Sequence, residues 1–107
     1  MIAPEDIPPA RAAELKAQGA RIVDIREPDE RAAGIIPGAA FAPLSALHAF
    51  RFDGPTDQPL IFHCRGGGRT HANAAALRVK ADGRICYLMR GGIDGWRAAG
   101  LPIAQPK

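Results

Sequence analysis

The chain has 107 residues, of which 47% are hydrophobic, so we expect a single domain with a modest core over residues 1–107. Two cysteines are too few for a disulfide framework, no apolar run approaches the roughly 18 residues of a membrane-spanning helix, and the N-terminus lacks the features of a signal peptide; together these predict a cytoplasmic protein without a membrane segment. The net charge of +3 divides into −3 over residues 1–62 and +6 over residues 63–107, which favours a small anionic substrate or an acidic partner protein over nucleic acid.

Hydrophobic periodicity and turn residues predict that strands alternate with helices along the whole chain. The predicted strands are short, and they cover residues 2–3, 21–25, 40–42, 60–63 and 85–89. The predicted helices, most of them bounded by Pro or Gly, cover residues 10–18, 28–33, 43–48, 69–81 and 93–99. Residues 4–9 and 53–57 are predicted turns, and the glycine pair at 91–92 is a predicted loop. This alternation predicts a three-layer α/β domain, in which helices flank a central, mainly parallel, five-stranded sheet.

The most informative stretch is residues 60–71, which read Leu-Ile-Phe-His-Cys-Arg-Gly-Gly-Gly-Arg-Thr-His. A buried strand leads directly into Cys64, and a glycine-arginine loop then separates Cys64 from an alanine-rich helix. Such a loop turns backbone N–H groups inward, and the helix N-terminus adds partial positive charge, so we expect an anion at its centre. The Cys64 thiolate is the first candidate, because this setting lowers a thiol pKa.

The candidate site consists of Cys64 and the loop residues Arg65, Gly66, Gly67, Gly68, Arg69 and Thr70. A turn alone needs one glycine, whereas three glycines beside two arginines make a costly, flexible and strongly positive segment. This composition disfavours the simpler alternative, in which Cys64 is only a buried small hydrophobic residue. No His and Cys residues have the spacing of zinc ligands, so we expect neither a metal nor another cofactor.

Five motifs, in this order, resemble those of the rhodanese family of sulfurtransferases. They occupy residues 22–30, 34–39, 63–70, 88–96 and 100–103. The resemblance covers nearly the whole chain and implies a rhodanese-like fold and a thiosulfate sulfurtransferase-like enzyme. The chain departs from the family pattern at two positions outside the cysteine loop. Ile35 replaces a histidine that the family usually has, and Arg31 stands where an aromatic residue is common, which predicts some loss of packing.

The resemblance implies that Cys64 takes the outer sulfur of a donor such as thiosulfate, holds it as a persulfide, and passes it to an acceptor thiol or to cyanide. The residues support this independently, because a thiolate is the attacking species and a covalent intermediate divides the transfer into two steps. We expect the loop N–H groups to stabilise the charged sulfur. Arg65 and Arg69 should attract and orient a doubly charged donor. Thr70 should either donate a hydrogen bond to sulfur or cap the helix.

Four other features are predicted to serve the fold rather than the chemistry. They are the ring of His63, an internal ion-pair group of Asp24, Arg26 and Glu30, the indole of Trp96, and the thiol of Cys86. The His63 ring should point to the sheet face opposite to Cys64, because successive residues of a strand face opposite sides. Cys86 lies in the middle of a predicted strand, which favours a buried inert thiol over a resolving partner for Cys64.

Two alternative functions stay open at this point. A cysteine-dependent phosphatase or arsenate reductase has a similar loop, but Cys64 and Arg69 enclose four residues, one fewer than in those loops. Neither Asp57 nor Asp94 is clearly placed as the general acid that a phosphatase needs. The second alternative is a non-catalytic binding module, or a persulfide carrier whose acceptor is another protein. The sequence does not separate such a carrier from an enzyme that uses thiosulfate and cyanide.

Overall fold

The computed structural model describes residues 3–106. Its strands are β1 (Glu5–Ile7), β2 (Arg21–Asp24), β3 (Ala40–Phe41), β4 (Leu60–His63) and β5 (Cys86–Met89). They form a five-stranded sheet of order β1-β5-β4-β2-β3, in which the paired strands are parallel. The predicted α/β class and the five-stranded parallel sheet are therefore confirmed.

The helices between and after these strands are of two kinds, α-helices and 3₁₀ helices. The α-helices are α1 (Pro9–Ala17), α2 (Gly68–Ala72), α3 (Ala74–Ala81) and α4 (Gly92–Ala98), and the 3₁₀ helices are Pro28–Ala33 and Leu44–Ala49. The prediction of one helix over residues 69–81 is wrong, because the helix is interrupted at Asn73. The side-chain amide of Asn73 donates a hydrogen bond to the carbonyl oxygen of Arg69 at 2.8 Å, which is the local competition that makes Asn unfavourable within helices.

The first strand lies further along the chain than predicted. The predicted strand over residues 2–3 begins at Ile2, which lies outside the described residues, and Ala3 is not in a strand. β1 lies instead in the segment predicted as turns, and its last residue, Ile7, pairs with Met89 of β5. Ile7 is only 2% exposed, so its burial in the core decides where the strand forms. Pro9 begins α1, where the missing N–H of proline costs nothing.

Two hydrophobic clusters cover the two faces of the sheet, as the alternation of side chains along a strand requires. Phe62 of β4 and Leu77 of α3 belong to one cluster, which also contains residues of the second 3₁₀ helix. Ile61 of β4 belongs to the other, together with Leu15 of α1 and Trp96 of α4. Helices thus pack on both faces of the sheet, which gives the predicted three layers. Trp96 is 2% exposed, so its predicted place in the core is confirmed.

A buried ion pair braces the end of β2. Arg26 donates hydrogen bonds to both carboxylate oxygens of Asp24, at 2.9 and 3.0 Å, and both side chains are 3% exposed. Burial opposes the charge of Asp24, but the hydrogen bonds from Arg26 outweigh it and hold the carboxyl pKa below its usual value. Arg26 also donates to the carbonyl oxygens of Glu30 and Gly34. Of the predicted group of three, Asp24 and Arg26 form the buried pair, whereas the Glu30 carboxylate forms its ion pair with Arg69 and feels Arg26 only through its charge.

We predict that Asp24→Asn lowers the free energy of unfolding by about 3–5 kcal/mol, because the buried charge of Arg26 would lose its counter-ion. Urea denaturation followed by circular dichroism measures the change. The folded pKa of Asp24 lies below the unfolded value of about 3.9. The carboxylate therefore contributes its full stability above that unfolded value and loses it as the pH falls through the folded pKa.

A matched exposed pair on α1 provides the control for this prediction. Arg11 and Glu14 lie 3.3 Å apart, and their side chains are 48% and 65% exposed. Glu14→Gln should therefore change the free energy of unfolding by less than about 1 kcal/mol. Equal losses in Glu14→Gln and Asp24→Asn would contradict a special role for the buried pair.

Candidate active site

The candidate site lies beyond the carboxyl end of β4, which is the middle strand of the sheet. Cys64 directly follows His63, the last residue of β4, and the chain then turns into α2, which begins one residue before the predicted start. Gly67 caps α2 with a φ of +101°, a left-handed conformation that glycine adopts readily. Of the three glycines predicted in the loop, Gly67 is therefore the one whose backbone conformation favours glycine.

Backbone N–H groups converge on the sulfur of Cys64, a residue that is only 1% exposed. The N–H of Gly67 donates a hydrogen bond to Sγ, with an N···S distance of 3.1 Å. Burial raises the pKa of the Cys64 thiol, but the backbone N–H groups of Thr70, Gly67 and Arg69 outweigh burial, so the pKa lies below its usual value. The loop therefore favours a negative charge on a sulfur atom that water barely reaches.

The Thr70 side chain shapes the loop. Its hydroxyl donates to the carbonyl oxygen of Gly67 at 2.9 Å, and Oγ1 lies 3.9 Å from the Cys64 sulfur. Because Gly67 is the N-cap of α2, Thr70 lies within the first turn, and the alternative of Thr70 as a helix cap is wrong. The hydroxyl holds the backbone of Gly67, whose own N–H faces the sulfur.

Arg69 is held at the end of the loop by Glu30. Two parallel hydrogen bonds of 2.7 Å join its guanidinium to the two carboxylate oxygens. Arg69 lowers the pKa of Glu30 to about 2, against the opposing effect of burial, and Glu30 in turn raises the pKa of Arg69. The Glu30 carboxylate also accepts a hydrogen bond from the N–H of Glu27 at 2.9 Å. Sequence reasoning missed this pair, because its members lie 39 residues apart.

Arg65, at the other end of the loop, is an exposed arginine. Its side chain is 74% exposed, and its Nε lies 3.7 Å from a carboxylate oxygen of Asp94. Its backbone is held firmly, since the Arg65 carbonyl accepts a hydrogen bond of 3.0 Å from the Asp94 N–H. The two loop arginines therefore differ: Arg69 is fixed by a close ion pair, and Arg65 stands at the rim with a loose one.

The start of α4 is a part of the site that the sequence analysis missed. The N–H of Ile93 donates to the carbonyl oxygen of Cys64 at 2.9 Å, beside the contact from Asp94 to Arg65. Gly92 has a φ of +58°, and a Cβ atom there would lie 2.5 Å from the carbonyl oxygens of Cys64 and Arg65. Only glycine lets α4 approach the loop so closely. The signal in the sequence was a pair of glycines, predicted only as a loop.

His63 supports the site from the other face of the sheet. Phe62 and Cys64 contribute to the same core cluster, so the residue between them faces the opposite side, as predicted. The ring is fully buried, with Nδ1 3.0 Å from the Cys64 carbonyl oxygen and Nε2 3.8 Å from Asp24. Nδ1 donates, because a carbonyl can only accept. Burial lowers the pKa of His63, which keeps the ring neutral at neutral pH.

Cys86 lies at the opposite end of the strands from Cys64. It pairs with Leu60, the first residue of β4, and Cys64 comes four residues later, about 13 Å further along the strand direction. Cys86 is 8% exposed, and burial raises the pKa of its thiol to about 11. Both cysteines are free thiols. The position and the raised pKa match a buried inert thiol.

A cleft of about 250 Å³ opens beside the loop. Side chains that line it include Glu30, Arg65, Ile93, Asp94 and Arg97. Within residues 3–106, no group of three or more His, Cys, Asp or Glu side chains is arranged to hold a metal ion. No helix in that range is both long enough and apolar enough to cross a membrane.

Comparison with known proteins identifies the class. The chain matches the rhodanese-like domain over residues 9–99 and belongs to this family. It is 38% identical over 86 residues to a sulfurtransferase of Allochromatium vinosum (80% of this chain, 79% of that protein), and 37% identical over 92 residues to the thiosulfate sulfurtransferase GlpE of Ectopseudomonas mendocina (86% and 84%). The crystal structure of a rhodanese-related protein from Thermoplasma volcanium matches with a TM-score of 0.82 at 25% identity, covering 95% of this chain and 99% of that one. The resemblance drawn from the five motifs is confirmed.

The two departures from the family pattern make contacts of their own. The Arg31 guanidinium carbon lies 4.3 Å from the centre of the Phe41 ring, which makes a cation–π contact. Ile35 forms an antiparallel bridge with Ala104, with two backbone hydrogen bonds of 2.8 Å. Neither of these two contacts involves the Cys64 sulfur.

We predict that Gly92→Ala disturbs this cradle and raises the pKa of Cys64, because the added Cβ would push against the carbonyl oxygens of Cys64 and Arg65. The measurement is the pH dependence of iodoacetamide alkylation in a Cys86→Ser background, so that one thiol reports. Without the Gly92 change, the midpoint should lie below the free-thiol value of about 8.5.

Gly100→Ala is the matched control, because Gly100 also has a positive φ, +76°, yet a Cβ there meets nothing within 4 Å. Gly100→Ala introduces the strain of a left-handed backbone, but its added Cβ does not press against other atoms. Gly100→Ala should therefore leave the alkylation midpoint in place, whereas Gly92→Ala should move it upward. Identical midpoints in the two variants would show that the approach of α4 does not shape the loop.

Proposed function

We propose that this protein is a sulfurtransferase that moves sulfane sulfur from a small anionic donor, such as thiosulfate, to a thiol or cyanide acceptor through a persulfide on Cys64. The observation that carries the proposal is the convergence of backbone N–H groups on a buried sulfur with a lowered pKa. Membership of the rhodanese-like family and relatives named as sulfurtransferases support the type of reaction.

The reaction divides into two balanced steps. In the first, the Cys64 thiolate attacks the outer sulfur of thiosulfate; a new S–S bond forms, the old one breaks, and sulfite leaves with the bonding electron pair. In the second, an acceptor thiolate or cyanide attacks the terminal sulfur of the persulfide, and the Cys64 thiolate leaves. Cys64 carries a charged sulfur as a thiolate before the first step, as a persulfide between the steps, and as a thiolate again after the second. The same loop N–H groups can therefore stabilise it throughout.

The loop residues divide the work by their positions. Gly66 and Gly68 border open space beside the loop, since a Cβ atom at either would meet nothing within 4 Å. Arg65 presents an exposed cation to the donor. Arg69 fixes the end of the loop through its ion pair with Glu30, while its backbone N–H acts on the sulfur. The rigid backbone therefore handles the sulfur, and the exposed side chain meets the charged remainder of the donor.

The setting of the reaction follows from the same chemistry. A reducing compartment such as the cytoplasm would keep the Cys64 thiol available. We propose that residues 1–107 act as one domain and need neither a metal nor an organic cofactor, because a thiolate and backbone amides supply every group the two steps require. The same site would serve a persulfide carrier that passes its sulfur to the free thiol of another protein, since the enzyme and the carrier share the first step.

The phosphatase alternative is disfavoured by the setting of Asp94 and by the length of the loop. Asp94, a candidate general acid, is exposed at the rim and lies between Arg65 and Arg97. The four residues enclosed by Cys64 and Arg69 support the same conclusion.

We predict that Cys64→Ser abolishes formation of thiocyanate from thiosulfate and cyanide, whereas Cys86→Ser retains most of it. The reason is that Cys64 lies among the loop N–H groups and has a lowered pKa, while the pKa of Cys86 is raised to about 11. Steady-state kinetics of the two variants measure the difference. Substantial turnover by Cys64→Ser would overturn the proposed mechanism.

A second assay separates the proposed reaction from the phosphatase alternative. We expect turnover of thiosulfate to exceed turnover of p-nitrophenyl phosphate under the same conditions. Phosphate-ester turnover that matched or exceeded it, and that disappeared in Cys64→Ser, would assign the protein to the phosphatases instead.

A further inference from the structure

The cleft beside the loop contains charged side chains, some of which are neutralised within the fold. Arg26 lines the cleft, and its charge is balanced by Asp24 at 2.9 Å. Glu30 lines it as well, and its charge is balanced by Arg69 at 2.7 Å. The charges of Arg26 and Glu30 are therefore offset within the fold.

The three other charged residues of the cleft are Arg65, Asp94 and Arg97. One oxygen of Asp94 lies 3.7 Å from Arg65, and the other lies 3.8 Å from Arg97, both longer than an ordinary hydrogen bond. The side chains are 74%, 54% and 45% exposed in that order. A single carboxylate thus stands between two cations and binds each of them loosely. Exposed pairs of this kind contribute little to stability, so they are easily exchanged for another partner.

The two cations are presented from different walls of the cleft. Arg65 belongs to the cysteine loop, whereas Arg97 belongs to α4. Arg97 is anchored there by a hydrogen bond of 3.0 Å from Nη2 to the carbonyl oxygen of Ala33, while Nη1 is the atom nearest to Asp94. Its guanidinium therefore has a defined position beside the loop.

We propose that Arg97 and Arg65 together bind the anionic group of the sulfur donor, and that Asp94 occupies both guanidinium groups until the donor displaces it. This proposal rests on the proposed function, and it adds Arg97 to the predicted pair of Arg65 and Arg69. A doubly charged oxyanion such as thiosulfate presents two charges where Asp94 presents one, so it gains more from the two cations than it loses by displacing the carboxylate. A neutral or singly charged donor has no such advantage. The site should therefore select dianionic donors.

The first test does not depend on sulfur transfer. In a Cys86→Ser background, the rate of Cys64 alkylation is measured with anionic iodoacetate and with neutral iodoacetamide, and their ratio is compared between variants. The neutral reagent corrects for changes in thiolate fraction and access. We expect Asp94→Asn to raise the ratio and Arg97→Gln to lower it, each about two- to fivefold, the scale of an exposed charge interaction.

Two controls keep this test specific. Arg97→Lys retains the charge and should restore a ratio near that of the parent. Arg11 and Glu14 form an (i,i+3) pair on α1 that resembles the pair of Asp94 and Arg97 but does not line the cleft. Arg11→Gln and Glu14→Gln should therefore leave the ratio unchanged. Ratios that do not respond to Arg97→Gln and Asp94→Asn would overturn the proposal.

The second test uses donor kinetics with thiosulfate. Arg97→Gln should raise KM and Asp94→Asn should lower it, with kcat less affected in both, because the interaction concerns binding of the donor. Both effects should shrink as the salt concentration rises. A higher KM in Asp94→Asn would overturn the proposal. If the wild-type protein transferred no sulfur from thiosulfate, the proposed function would fail for that donor, and the alkylation ratios would still decide whether Arg97 and Asp94 set the charge met by an anion at Cys64.

Discussion

A charged sulfur atom in a protein interior has to be stabilised by the chain itself, and the rest of this structure depends on how that is done. The two cysteines show the contrast, since both contribute to the same core cluster. Around Cys86, burial raises the thiol pKa to about 11, against a smaller opposing effect of the charge of Arg78. Around Cys64, burial is opposed by N–H groups of the loop, including that of Gly67 at 3.1 Å, and the pKa falls below its usual value. The N–H groups around Cys64, rather than the residue type, therefore make one thiol reactive and leave the other inert.

The surrounding elements hold the loop in the shape that provides those N–H groups. The start of α4 donates to the carbonyl oxygens of Cys64 and Arg65, and it can do so because residue 92 is a glycine. At the other end of the loop, Glu30 fixes Arg69 with two hydrogen bonds. The segment that carries Glu30 is held in turn by Arg26, which donates to two of its carbonyl oxygens and is itself buried against the sheet. A continuous series of contacts therefore joins the sheet to the sulfur site.

Local signals explain what the sequence could predict. The apolar run of β4, the glycines after Cys64 and the alternation of strands and helices are all short-range patterns, and they were sufficient for the fold class and for the position of the loop. The contacts between distant segments were not predictable in this way. Glu30 lies 39 residues from Arg69, and no periodicity links them. Likewise, Gly92 looks like an ordinary loop residue until α4 is packed against the Cys64 carbonyl. β1 was misplaced because prolines obscured the one buried residue, Ile7, that defines it.

The central claim is that the loop makes Cys64 the atom that carries the transferred sulfur. The most direct measurement is peptide-resolved mass spectrometry of the protein after incubation with thiosulfate and removal of excess donor, followed by addition of an acceptor thiol. The account predicts that the peptide with Cys64 becomes heavier by one sulfur atom and returns to its original mass with the acceptor, while the peptide with Cys86 does not change. Sulfur found on Cys86, or an unmodified Cys64 in a protein that still turns over thiosulfate, would contradict it.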